Sequence, residues 1–128
     1  MSEIRTDTIS AANGTDPVTL TKQMALKAWL CLKQTDNTIR DSFGISSQTD
    51  DGSGTNTVTF TSAFDDADGY AFQGTSEDGG GFNDVALCRR DNSQVRSATQ
   101  HGFYCTHGNP AVVNDADYAN TYYVGDLA

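Results

Sequence analysis

Between Thr38 and Phe64 the chain reads TIRDSFGISSQTDDGSGTNTVTFTSAF, two runs of strand character either side of a tight Asp/Gly/Ser loop. Ile39, Phe43 and Ile45 share one parity, as do Val58, Phe60 and Phe64, the period-two spacing of half-buried strands. Asp50-Asp51-Gly52-Ser53-Gly54 offers positive-φ tolerance and side chains that bond their own backbone, which is what reverses a chain. A β-hairpin is the expectation here, and the rest of the chain repeats its style.

Thr21 to Gln34 carries Lys, Gln, Met, Ala and Leu, residues that suit a helix. Its apolar residues nevertheless alternate: Met24, Leu26, Ala28, Leu30 and Leu32 fall on one face, with Ala25, Lys27, Trp29, Cys31 and Lys33 on the other. That pattern, and the Thr35-Asp36-Asn37 turn after it, predict a strand, with a short helical turn around Thr21 to Ala25 as the alternative. Further strands are expected from Tyr70 to Gly74, Val85 to Arg90, Gln94 to Cys105 and Tyr118 to Val124. Turn signals separate them: Asp65-Asp66-Ala67-Asp68-Gly69, Asp78 to Gly81, Asp91-Asn92-Ser93 and His107 to Pro110. About seven or eight short strands at regular spacing predict an all-β fold, a small antiparallel β-sandwich or barrel. Residues 1–18 hold few apolar side chains and a turn at Asn13 to Pro17, and read as an extended N-terminal arm preceding a body over residues 19–128.

A chain of 128 residues can build one core without disulfides or metal. The net charge of −9 opposes nucleic-acid binding and docking on anionic lipid, both of which need a basic footprint. Only Glu3 and Glu77 are Glu; the other acids are Asp in expected turns, so the acidity is mostly loop chemistry. Cys31, Cys88 and Cys105 are odd in number and form no C-x-x-C pair, which reads as buried strand thiols rather than a disulfide framework. Met1 to Arg5 opens no signal peptide and Met24 to Leu32 is too short to span a bilayer, so a cytosolic origin is expected and the Asn13-Gly14-Thr15 sequon is set aside.

Candidate chemistry is sparse. Asp65 to Asp68 suits a hard cation, yet an EF-hand alignment puts Phe64 and Thr75 where oxygen ligands belong, and an Asp-rich turn explains the cluster better. Its echo, Asp115-Ala116-Asp117 before Tyr118, is what a turn motif would do. Gly79 to Gly81 lacks the Lys-Ser/Thr of a phosphate loop. His101, Cys105 and His107 lack a fourth ligand for a metal, and no G-x-S-x-G nucleophile elbow is present. Nothing selects a carboxylate pair for glycoside hydrolysis. No enzyme and no cofactor are expected. Tyr104, Tyr118, Tyr122 and Tyr123, with Trp29 and Phe103, would stack on sugar rings if they shared an exposed face, although core and interface packing is their ordinary use. Arg40, Arg89, Arg90 and Arg96 make the candidate basic patch, better suited to pairing with Asp of a neighbouring chain.

The stretch TDTISAANGTDPVTLTKQMALKAW, followed by IRDSFGISSQTDDGSGTNTVTFTSAFDDADGY, resembles a family of small proteins and tail-fibre modules of marine phages. The family pattern runs T-D-T-I … G-T-x-P-V-x-L-T-K-Q … K-A-W, then I-R-D-S-F-N-V-S-S-I-T-D-N-G-T-G. The match covers about Asp7 to Tyr70, with a looser echo over Asn120 to Asp126. The resemblance implies a non-enzymatic virion structural protein on a β-sandwich, assembled as a homotrimer, whose arm grips a neighbouring capsid, portal or tail subunit. On this chain the gripping residues would be Ile4, Thr8, Ile9 and Val18. Since the chain stops at Ala128 without shaft repeats, a short tail-fibre-type appendage or a capsid decoration (cement) protein is expected, located in the virion and assembled in the host bacterial cytoplasm. The alternative is a glycan- or receptor-binding module, with Tyr104, Tyr118, Tyr122, Asp66 and Asp68 as its recognition surface on a host glycan.

Overall fold

The structure is a computed structural model describing residues 24–77, 86–89, 95–107 and 112–126. Ile4, Thr8, Ile9 and Val18, expected to grip a neighbouring chain, lie outside them. Among the described residues nine strands follow in chain order: β1 (Met24–Lys33), β2 (Thr38–Phe43), β3 (Ile45–Gly52), β4 (Thr55–Phe60), β5 (Tyr70–Glu77), β6 (Ala86–Arg89), β7 (Gln100–His107), β8 (Val112–Val113) and β9 (Tyr118–Asp126). The described non-strand element is a single 3₁₀ turn, Gln34–Asp36, closed by Asn37 in the left-handed region at φ 55°. All strand pairs are antiparallel, in the order β2-β1-β9-β5-β6-β7-β4-β3, with β8 beside β7. The halves β2-β1-β9-β5 and β6-β7-β4-β3 pack inner face to inner face as a small β-sandwich.

Two features join the halves. Strand β6 pairs with β5 through Gly74↔Cys88, Thr75↔Leu87 and Ser76↔Ala86, and with β7 on its other side. At the opposite seam, β2 and β3 are separated by Gly44 alone. Gly44 sits at φ +68°, and a Cβ there would lie 2.3 Å from the Lys27 carbonyl oxygen, so a side chain is excluded where this strand crosses β1.

The hairpin forms as expected between β3 and β4, but its first arm does not run unbroken from Thr38. The Gly44 corner sends Thr38–Phe43 to pair with β1 and Ile45–Gly52 to pair with β4. Burial departs from the parity expectation accordingly. Ile39 and Phe43 are 40% and 58% exposed on β2, which among the described residues pairs on one side only. Phe64 is buried, but from the segment after β4, where its N–H bonds the Ala98 carbonyl. The Gln94 to Cys105 run shortens to β7 preceded by an isolated Arg96↔His101 bridge, leaving Val95 exposed. Met24 and Ala25 already belong to strand β1, and Thr21 to Gln23 of the alternative helical turn lie outside the described residues.

From Ala28 onward in β1, and in β4, β7 and β9, the core follows the alternation. Ala28, Leu30 and Leu32 from β1, Val58 and Phe60 from β4, Phe103 and Cys105 from β7, and Ala119 and Tyr123 from β9 all point inward. Phe60, Phe64, Tyr70, Phe72, His101 and Tyr123 form one aromatic cluster, with centroids 4.4–6.3 Å apart. One end of the core is polar and satisfied. The Gln34 side chain donates to Asn56 Oδ1 at 2.6 Å and accepts from the Ala116 N–H at 2.9 Å.

Candidate functional site

Strand β9 alternates strictly. Ala119, Thr121 and Tyr123 are buried, so Tyr118, Asn120, Tyr122 and Val124 face outward. On β1 the inward Ala28, Leu30 and Leu32 leave Trp29 and Cys31 on that same outer face. Register then brings separate sequence segments together. Trp29 pairs with Phe43 on one side and Tyr122 on the other, and Tyr122 pairs with Gln73. Phe43, Trp29 and Tyr122 thus form an aromatic row across three adjacent strands, roughly 10 Å wide at ordinary strand spacing.

Beside this row Leu26 pairs with Val124, and Val124 with Ala71, extending the apolar surface. A β-bulge between Leu26 and Ala28 turns Leu26 outward, out of the inward set its parity predicted. Exposures of 58% for Phe43, 45% for Leu26 and 43% for Tyr122 are high for large apolar groups gathered on one face. A groove of about 430 Å³, lined by Leu26, Phe43, Gly44 and the 61–63 segment, opens from the same patch. The other border is polar: Asp41, Cys31, Asn120 and Thr75 form the next cross-strand row. Beyond it Arg40 lies over the Tyr118 ring at 4.1 Å and donates to its hydroxyl at 3.2 Å, which holds that ring against the sheet.

Tyr118 and Tyr122 therefore share a face, but Tyr104 does not join them. It lies on β7 between buried Phe103 and Cys105, so it faces outward from the opposite half. Tyr123 and Phe103 are fully buried core residues and present no surface to a ligand. Asp66 and Asp68 sit on the loop between β4 and β5. There Asp66 Oδ1 accepts the Asp68 N–H at 2.6 Å, an Asx turn, and Arg96 lies 3.9 Å from Asp68. Arg96 itself caps this loop: it donates to the carbonyls of Ala67 and Tyr70 at 2.6 Å each and stacks on the Tyr70 ring at 4.4 Å. The Asp115 echo is also loop chemistry, its carboxylate accepting the Gly54 N–H. Arg89 and Arg90 of the basic patch carry no described side chain, and Arg40 is committed to Tyr118.

His101 is a core histidine, its Nδ1 2.9 Å from the Tyr70 hydroxyl and its ring 4.4 Å from Phe72. Among the described residues no group of three His, Cys, Asp or Glu is placed to hold a metal, and no helix is long and apolar enough to cross a membrane. The residues that sequence reasoning missed are Leu26 and Phe43, both expected inside. The available signal was β1 itself: a strand with Trp29 and Cys31 opposite a wholly apolar face must cover something on each side. Compared with family models, curated proteins and solved structures, the chain matches none.

Proposed function

We propose that this chain is a non-enzymatic virion structural protein of a phage, a short tail-fibre-type appendage or capsid decoration protein that assembles as a symmetric homotrimer. The observation that carries this reading is the Phe43–Trp29–Tyr122 row with Leu26 beside it, an outward apolar surface that a stable subunit contact would cover. Among the described residues β2 pairs on one side only, which adds to it, because an open strand edge invites a second chain and a closed oligomer hides it. The phage-module resemblance over Asp7 to Tyr70 supplies the virion context, with residues 1–18 as the attachment arm.

Sedimentation velocity across a concentration series tests the assembly. The wild-type chain is expected to sediment as a trimer, and the double variant Phe43→Ser/Tyr122→Ser as a monomer that stays folded, since both side chains lie on the outer face and not in the core. A wild-type chain that stays monomeric at every concentration overturns the proposal. Removal of residues 1–18 is expected to abolish incorporation into particles, measured by immunoblotting purified virions; undiminished incorporation would remove the arm from the account.

A second reading rests on the polar border. Asp41, Asn120, Thr75 and Gln73 beside the aromatic row are the hydroxyl acceptors and donors that sugar recognition uses, with Trp29 and Tyr122 as stacking platforms. Binding of a host polysaccharide, lost in Trp29→Ser, would select this reading over simple self-association; flat isotherms across host glycans would discard it.

A further inference from the structure

Cys88 on β6 and Cys105 on β7 are direct cross-strand partners, with their sulfurs 3.0 Å apart in the core. The backbone shows which kind of pair this is. The Cys105 N–H donates to the Gly54 carbonyl at 2.8 Å, and the Cys105 carbonyl accepts from the Asn114 N–H at 3.2 Å. Both groups of an antiparallel residue point to the same side, so Cys105 spends them away from β6. Cys88↔Cys105 is therefore a non-hydrogen-bonded pair, the kind with the closer Cα atoms (~4.5 Å), within the span a disulfide bridges.

The neighbours support close approach. Gly74, opposite Cys88 on β5, leaves the space that Cys88 fills: a Cβ there would lie 2.4 Å from the Cys88 Cβ. Cys88 also lines a hollow of about 600 Å³ where β5 runs past β7 before the β5–β6 ladder begins, which gives it a route to solute that Cys105 lacks. The adjacent Cys105 sulfur and then burial push the Cys88 thiol far above its ordinary pKa, so reduced Cys88 is held as the neutral thiol.

We propose that Cys88 and Cys105 are a redox site that closes to a cross-strand disulfide by exchange with a small-molecule disulfide, fastening the short strand β6 that joins the two halves. Cys88, deprotonated as β6 opens, attacks one sulfur of the small disulfide and releases one thiolate. Cys105, losing its own proton, then attacks the Cys88 sulfur of the mixed disulfide and releases the second thiolate. One S–S bond breaks and one forms. Two electrons pass from the protein to the small disulfide, and the two protons go to the released thiolates.

The test uses the full chain with Cys31→Ser, so that only this pair can react, refolded in reduced and oxidised glutathione and quenched with acid. Trypsin cuts after Arg89, Arg90 and Arg96 and separates the two cysteines, so an unreduced digest expected to contain one linked Cys88–Cys105 peptide pair reports the bond directly. The oxidised chain is expected to melt about 10 °C above the reduced one, as closing a loop of this length implies. The Cys88→Ser/Cys105→Ser variant should show no linked peptide and no redox dependence of melting. Both cysteines remaining alkylatable, glutathione adducts alone, or a linked form that melts no higher than the reduced chain would each overturn the proposal.

Discussion

Tyr123→Ala is expected to lower unfolding stability by about 4 kcal/mol and the melting temperature by about 15 °C, read by urea titration and calorimetry. The ring is fully buried on β9 and meets Phe60, His101 and Phe72 at centroid distances of 4.9, 5.3 and 5.5 Å. Phe60 belongs to one half of the sandwich and Phe72 to the other, so removing Tyr123 opens a void between the halves rather than at an edge. Such a loss consumes a large part of a typical domain's stability. A decrease below about 1.5 kcal/mol would mean the core closes over the void, and the aromatic cluster would not be what couples the halves.

Tyr123→Phe separates ring from hydroxyl. Burial pushes the Tyr123 phenol above its ordinary value of 10.0. The native state keeps the neutral phenol while the unfolded chain ionises, so this contribution is intact below pH 10 and falls as the pH rises further, by about 1.4 kcal/mol per pH unit. Cys88, likewise raised above 9.0, adds a similar loss starting about one pH unit lower in the reduced chain. Tyr123→Phe should therefore unfold within about 1 kcal/mol of wild type at pH 7 yet lose less stability between pH 10 and 11.

Much of the fold is legible in residue order because its strands bury one face. Leu30 and Leu32 alternate with Trp29 and Cys31, and Ala119, Thr121 and Tyr123 with Tyr118, Asn120 and Tyr122, so inside and outside follow from parity. The turn at Gly52 to Gly54 is equally visible, because only small or Asx residues reverse a chain so tightly. Parity does not reveal which half of the sandwich a strand belongs to. Ile39, Phe43 and Ile45 keep step across Gly44, and nothing in that rhythm shows that the chain changes partners there. Phe64 keeps the parity of Phe60 although the ladder has ended. The candidate site suffers most from this gap. Tyr118 and Tyr122 are four residues apart, two full strand periods, so their shared face is readable, but that Phe43 and Trp29 join them, and Tyr104 does not, depends on long-range register. The same holds for Cys88 and Cys105, whose opposition is a property of the β6–β7 pairing.

The corner at Gly44 is where local geometry and the proposed contact surface meet, and Gly44→Val should cost about 4 kcal/mol. A β-branched residue at φ +68° is strained by itself, by about 1–3 kcal/mol. Its Cβ would also press on backbone: the Lys27 oxygen at 2.3 Å and the Ala28 Cα at 3.1 Å. Neither atom can swing aside as a flexible side chain would, because Ala28 is held in the β1–β9 ladder. Relief requires lifting the β2–β3 strand off β1, which would carry Phe43 away from Trp29. Gly44→Ala should lose nearly as much, since the offending atom is the Cβ. Gly52→Ala is the control: its φ is +127°, but an added Cβ meets nothing within 4 Å, so only the backbone strain of about 1–2 kcal/mol should appear. Equal losses for Gly44→Ala and Gly52→Ala in urea titration would contradict the close crossing. If instead Gly44→Ala falls well below Gly52→Ala in stability, and the remaining folded fraction sediments as monomer, then the corner is what sets Phe43 in line with Trp29 and Tyr122.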